Sequence, residues 1–225
     1  MPEGLAANLE TVRRTIAERS ERAGRDPASI TLVAVTKTFP IPRIREAIQL
    51  GLKTLGENRV QEAIPKIEAI GTSEATWHLI GHLQTNKVKF IEGRFAMVQS
   101  IDRVELAAAL DRRLGSPLDV LIEVNVAEEP QKTGALPSDL PAIAQAVHQA
   151  RNLRLRGVMT IAPMVSDPEQ ARPVFRRLRA LRDETSQRLG TPLPVLSMGM
   201  TEDYPIAVEE GATMLRLGRA LFGPR

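Results

Sequence analysis

Apolar positions along the chain follow two alternating patterns, short unbroken runs and longer stretches at helical spacing. In the run 31–36, TLVAVT, four of six residues are apolar with no polar alternation, as a parallel strand covered on both faces requires. By this pattern strands are expected at 31–36, 54–56, 76–80, 95–99, 119–126, 153–159, 193–196 and 214–217. Helices are expected at 3–23, 41–50, 58–70, 84–92, 103–114, 137–151, 167–189 and 201–210, with Gly51 and Gly71 ending the second and third. Strands alternating with helices imply right-handed parallel crossovers, and eight of them close a (β/α)8 TIM barrel of the α/β class without an open edge. An open doubly wound sheet is the alternative. No strand is followed by a GxGxxG turn, and no Pro-, Gly- or Ser-rich linker divides the chain, so one barrel domain over 1–225 is expected, with an extra N-terminal helix.

Composition narrows the chemistry. With 43% hydrophobic and 25% charged residues in 225, the chain can bury one sizeable core, and no apolar run is long enough to span a bilayer. The N-terminal stretch is amphipathic but carries acids, which fits neither a signal nor a transit peptide, so a cytoplasmic protein is expected. The absence of cysteine removes disulfides, thiolate metal ligands and thiol catalysis. A formal charge of +3, arginines interleaved with acids and only 3% aromatic residues give no surface for stacking bases or tracking a groove, so nucleic acid is set aside.

The first strand ends abruptly at Lys37, ahead of Phe39-Pro40-Ile41-Pro42. Burial costs an ammonium far more than an amine, so a lysine here is paired with a carboxylate, reaches for solvent, or is held neutral as a nucleophile. In a closed barrel the first strand neighbours the eighth, which sets Lys37 beside residues 214–218 at the carboxyl face, with Arg216 facing it. A neighbouring guanidinium disfavours a second positive charge, so Lys37 is expected to titrate low and act as the amine that attacks a carbonyl. The other reading of Arg216 is an interior ion pair with Glu57 or Glu123. The loops after strands seven and eight read Ser197-Met198-Gly199-Met200-Thr201 and Gly218-Arg219-Ala220. Their small residues and hydroxyls let backbone N–H groups converge on an anion, while Thr201 also suits the cap of its helix. Beside a strand-end lysine and arginine, they suggest a phosphorylated aldehyde held as a Schiff base.

The runs AVTK, GENRVQEA, WHLIGHLQTNK, SIDR, LIEVNVAEEPQKTG, LRGVM and LSMGMTEDYPIAVEEGATMLRLGRALFG resemble, in that order, the pyridoxal phosphate homeostasis protein family, also called the YggS/PROSC family. The resemblance covers nearly the whole chain. It implies an alanine-racemase-like barrel that carries pyridoxal 5′-phosphate (PLP) on Lys37, with the pyridine nitrogen facing Arg216. It also implies that the phosphate lies against Ser197, Thr201, Gly218 and the backbone of Arg219. Many family members have Thr or Ser where this chain has Arg219, so the contact there is expected from the backbone alone. Asn58 suits either the cofactor's face or the N-cap of the helix it starts. His78, alternating with Ile80, reads as a satisfied core histidine, His82 and Lys87 as surface positions, and residues 172–182 as a solvated outer helix face.

Two functions are compatible with PLP binding. One is a homeostasis protein that holds PLP without efficient turnover and hands it on; the other is a PLP-dependent amino-acid racemase. Racemisation needs a base on each face of the substrate carbanion, and barrel racemases resembling this chain take the second from a tyrosine on a separate β-domain. No such domain precedes Arg225, and the single tyrosine, Tyr204, lies on the helix after strand seven. The expectation is therefore a monomeric PLP carrier rather than an enzyme, with amino acids and PLP-dependent apo-enzymes as further partners, and no metal, nucleic acid or membrane. A Schiff-base aldolase without PLP is a third reading.

Overall fold

The computed structural model describes residues 4–224, so the expected helix start at Glu3 lies outside the described residues. Helix α1 (Leu5–Arg22) precedes β1 (Thr31–Val35), α2 (Ile41–Gln49), β2 (Thr54–Glu57), α3 (Val60–Ile70) and β3 (Thr76–Leu79). Next come β4 (Met97–Ile101), α4 (Val104–Arg113), β5 (Leu118–Glu123), α5 (Leu140–Gln149) and β6 (Leu153–Met159). The order ends with α6 (Arg172–Leu189), β7 (Val195–Ser197), α7 (Tyr204–Glu209), β8 (Met214–Leu217) and α8 (Arg219–Phe222). Strands β1 to β8 pair in sequence order, and β8 returns to β1 in parallel, with Val33 opposite Arg216 and Ala34 opposite Leu217. The expected (β/α)8 barrel is thus the observed one.

Strand alternation divides the core in two. Val33, Met97, Leu121, Met159 and Met214 fill the barrel interior, whereas outward residues such as Ala34, Leu55, Trp77, Leu79 and Val98 join the larger core under the helices. Helix α1 buries Leu5, Leu9, Val12 and Ile16 along one stripe and packs on α7 and α8. Polar contacts extend this grip: the Asn8 amide donates to the Leu221 carbonyl at 2.9 Å, and Arg25 donates to the carbonyls of Val208 and Ala212 at 2.6 and 2.7 Å. The extra helix therefore holds the part of the barrel that carries the last two loops.

Several boundaries differ from those expected. Residues 84–92 do not form an α-helix; Thr85–Phe90 makes a 3-10 helix. The Phe95 N–H bonds back to the Ile91 carbonyl, so β4 begins at Met97 rather than 95. Helices α5, α6 and α7 start later than expected, each with a proline in its first turn (Pro141, Pro173 and Pro205), where the missing N–H costs nothing. The arginine-rich face of α6 is not simply solvated: Arg172 reaches Glu169, Glu209 and Glu210 at 2.7 Å, which ties α6 to α7.

Candidate functional site

Strand β1 stops where its chain turns. The Phe39 N–H donates to the Thr36 carbonyl at 3.1 Å, and Thr38, the second residue of that turn, has φ +67°, a left-handed conformation that β-branched residues avoid. Lys37 occupies the first turn position. It follows the carboxyl end of β1, on the side of the barrel mouth, and is half-buried. Arg216 is in register with Val33, four residues before Lys37, so its backbone lies deeper in the barrel by up to ~13 Å of strand rise.

The Arg216 guanidinium leans toward β6 and β7, donating from one Nη to Ser197 Oγ and from the other to the Thr160 carbonyl, both at 2.7 Å. Burial lowers its pKa to about 10, against the pull of Glu123 and Asp203, so it remains cationic at neutral pH. Among the described residues the alternative reading, an ion pair of Arg216 with Glu57 or Glu123, does not hold. Glu57 points outward and pairs with Lys66 at 2.7 Å; Glu123 accepts from Thr133 Oγ1 at 2.7 Å and acts on Arg216 only through space. Burial raises the pKa of Glu123 and of Asp203.

Below Arg216 runs a chain of buried polar groups whose directions are forced. Arg216 has only donors, so Ser197 Oγ accepts from it and donates onward to Gln99 Oε1 at 2.7 Å. The Gln99 amide then donates to His78 Nδ1 at 3.0 Å, which leaves the ring proton on Nε2. His78 is neutral, its pKa lowered to about 4 by burial, with the Asp119 charge opposing. The reading of His78 as a satisfied core histidine agrees with this. Ser197, expected at the phosphate, has its hydroxyl bonded to Arg216 and Gln99. Gln99 was missed, and the available signal was an amide at inward parity in an otherwise apolar strand, which must find partners.

Thr201 meets the chain that follows β8 just beyond Gly218 and Arg219. The Ala220 N–H donates to Thr201 Oγ1 at 3.2 Å, joining the loops after β7 and β8, and the Arg216 N–H donates to the Gly199 carbonyl at 3.0 Å. Thr201 does not cap α7; that position is Asp203, whose carboxylate accepts from the Met200 N–H at 2.6 Å and closes the loop. Gly199 is required here. Its φ is +92°, and a Cβ would stand 2.6 Å from that of Ala207. The Arg219 side chain turns outward to Glu202 at 3.0 Å, leaving only its backbone near the loops. Asn58 follows β2 and is half-buried; α3 is capped at Arg59 instead, and Asn58 packs so closely on Gly81 that a Cβ there would lie 2.4 Å from its carbonyl oxygen.

The SIDR run braces the neighbouring rim. Ser100 Oγ donates to the Gly81 carbonyl at 2.7 Å, Asp102 meets His82 Nδ1 at 3.1 Å, and Arg103 reaches the Leu83 carbonyl and Thr85 Oγ1. His82 and Lys87 line a surface cavity of about 500 Å³ with Arg59 and Gln84.

Known proteins resemble this assembly throughout. The alanine racemase N-terminal domain family matches residues 5–225. The pyridoxal phosphate homeostasis protein of Aquifex aeolicus is 44% identical over 220 residues, 96% of this chain and 96% of its own. The chain belongs to the pyridoxal phosphate homeostasis protein family. A second family member, from Pseudomonas aeruginosa, is 42% identical over 224 residues, covering 98% of this chain and 96% of that one. The structure of PipY from Synechococcus elongatus, solved with PLP bound, is similar with a TM-score of 0.81 and 38% identity, over 92% of this chain and 100% of PipY. The family membership implied by the motifs and the alanine-racemase-like barrel are therefore both observed.

Proposed function

We propose that this protein binds PLP covalently through Lys37 and serves PLP homeostasis as a monomeric cytoplasmic carrier, without efficient turnover. What supports this reading is a lysine that follows the carboxyl end of β1, a buried arginine in the neighbouring β8, and two loops joined through Thr201 and Ala220. Those donors suit the three ends of PLP: an amine for the aldehyde, N–H and hydroxyl groups for the phosphate, and a cation for the ring nitrogen. When bound, PLP supplies an aldehyde for capturing amines and a ring able to withdraw electrons from an attached carbon. Arg216 remains a donor at neutral pH, which favours an unprotonated ring nitrogen and so limits that withdrawal. Asn58, in the loop that follows the neighbouring strand β2, is assigned to the ring's face. Support also comes from the family names and from PipY, whose structure holds PLP.

Borohydride reduction after incubation with PLP, followed by peptide mass mapping, tests the assignment. The label is expected on Lys37, and Lys37→Ala should abolish it. A label on Lys53, Lys87 or another lysine would overturn the site.

A further inference from the structure

Behind the turn that carries Lys37 lies a buried charge pair that the proposed function does not use. Lys66, on α3, donates to the Thr36 carbonyl at 2.7 Å and to Glu57 Oε1 at 2.7 Å. Thr36 Oγ1 donates to the same carboxylate oxygen at 2.6 Å, and the Thr36 N–H donates to the Gly56 carbonyl at 2.9 Å. Glu57 is fully buried, and its second oxygen has no hydrogen-bond partner among the described residues. A buried ion pair is a poor source of stability, since well-packed apolar residues do as well or better. A half-satisfied carboxylate is poorer still.

What the pair does accomplish is geometric. The Thr36 carbonyl and the Lys37 N–H belong to one planar peptide group, so pinning that oxygen fixes the plane from which Lys37 departs. The Lys66 ammonium on one side and the Phe39 N–H on the other hold it. The same plane leads into Thr38 at φ +67°, a conformation that persists only where its surroundings enforce it. We propose that Lys66 and Glu57 are positioning residues for Lys37: they lock the preceding peptide plane and the strained turn so that the amine is aimed into the barrel mouth. This rests on the reading of Lys37 as the PLP-bearing residue.

The test separates aim from stability. Lys66→Met alone strands the Glu57 charge and should lower the thermal midpoint; adding Glu57→Gln removes that charge while leaving Thr36 an acceptor, and should restore most of it. In the double variant Lys37 should remain misdirected. Two readouts are compared with wild type: competitive labelling of ligand-free protein by acetic anhydride, mapped at Lys37, and the rate of borohydride-trapped PLP attachment there. Attachment is expected to slow about tenfold or more, because small errors of placement cost large factors in rate, and the relative reactivity of Lys37 should change in the same protein. Wild-type values for both in the folded double variant would overturn the inference. If the double variant does not fold, Lys66→Arg decides it: near-wild-type stability with slowed attachment supports positioning, and an unchanged rate overturns it. Failure of wild type itself to attach PLP at Lys37 would instead overturn the proposed function.

Discussion

Single residues carry the site's chemistry, and those whose type is unusual for their place were legible in the sequence. A lysine ending an apolar strand and an arginine inside another, at Lys37 and Arg216, stand out because burial of a cation demands a reason. Gln99 did not stand out. Its inward parity follows from simple alternation along β4, but its partners Ser197 and His78 lie on other strands and meet it only in the closed barrel. The interior chain it completes makes a pH prediction. His78 titrates near 4 in the folded protein against 6.5 when unfolded, so the unfolded state takes up the proton first and stability falls as pH drops from 6.5 toward 4. Full effect is about 3 kcal/mol. Burial raises the pKa of Glu57, Glu123 and Asp203, which works with opposite sign: that stability is present at low pH and lost as pH rises through their folded pKa values. The difference between proteins is therefore what counts. Urea unfolding at pH 7 and pH 4.5 should show His78→Gln losing less stability on acidification than wild type. Equal losses would mean that His78 takes up its proton in the folded state as readily as in the unfolded one.

Elements were read well where burial dictates pattern and less well at their ends. The continuous apolar run of β1 announces a buried parallel strand, and the expected bounds 153–159 and 214–217 match β6 and β8 to the residue. Helix starts moved because prolines at the first turn delay α5, α6 and α7, and the capping group of α7 is two residues later than Thr201. That shift matters for function, since it releases the Thr201 hydroxyl to meet the Ala220 N–H. The loop geometry depends in turn on Gly199, whose missing side chain admits Ala207, Leu215 and the backbone of Tyr204. Gly199→Ala should push the loop off α7 and part Thr201 from Ala220, at a cost of roughly 1–3 kcal/mol for a residue held at positive φ. Spectral titration should then show PLP binding weakened about tenfold, as for one lost charge-assisted contact, while pyridoxal, which has no phosphate, binds as it does to wild type. Equal weakening of both ligands would remove the loop from the phosphate end of the site.

At the scale of the molecule, the closed barrel makes one mouth from residues far apart in sequence, and its outer layer braces the side that holds the loops after β7 and β8. Helix α1 and the Arg172 cluster both bear on α7, Arg172 through Glu209 and Glu210. The sequence did not show that convergence, because partners separated by 190 positions, such as Arg19 and Glu209 at 2.6 Å, become neighbours only once the barrel is closed. The whole arrangement also bears on whether bound PLP is used for catalysis. Proton transfer at an amino acid's α-carbon needs an acceptor on the face opposite Lys37. Tyr204 does not fill that role: it is buried in the helix-packed core outside the barrel. His78 lies below Arg216 as a neutral ring bonded to Gln99, and His82 stands on the rim, braced by Asp102. Glu123, buried and with its pKa raised by burial, is a further candidate; its carboxylate accepts from Thr133 and is attracted by Arg216. If Arg216 meets the ring nitrogen as proposed and keeps it unprotonated, L- and D-amino acids in deuterated buffer should exchange their α-protons far below the ~1–1000 per second of typical enzymes. Exchange within that range would replace the carrier with a racemase-type enzyme, and its loss in Glu123→Gln would then identify the acceptor.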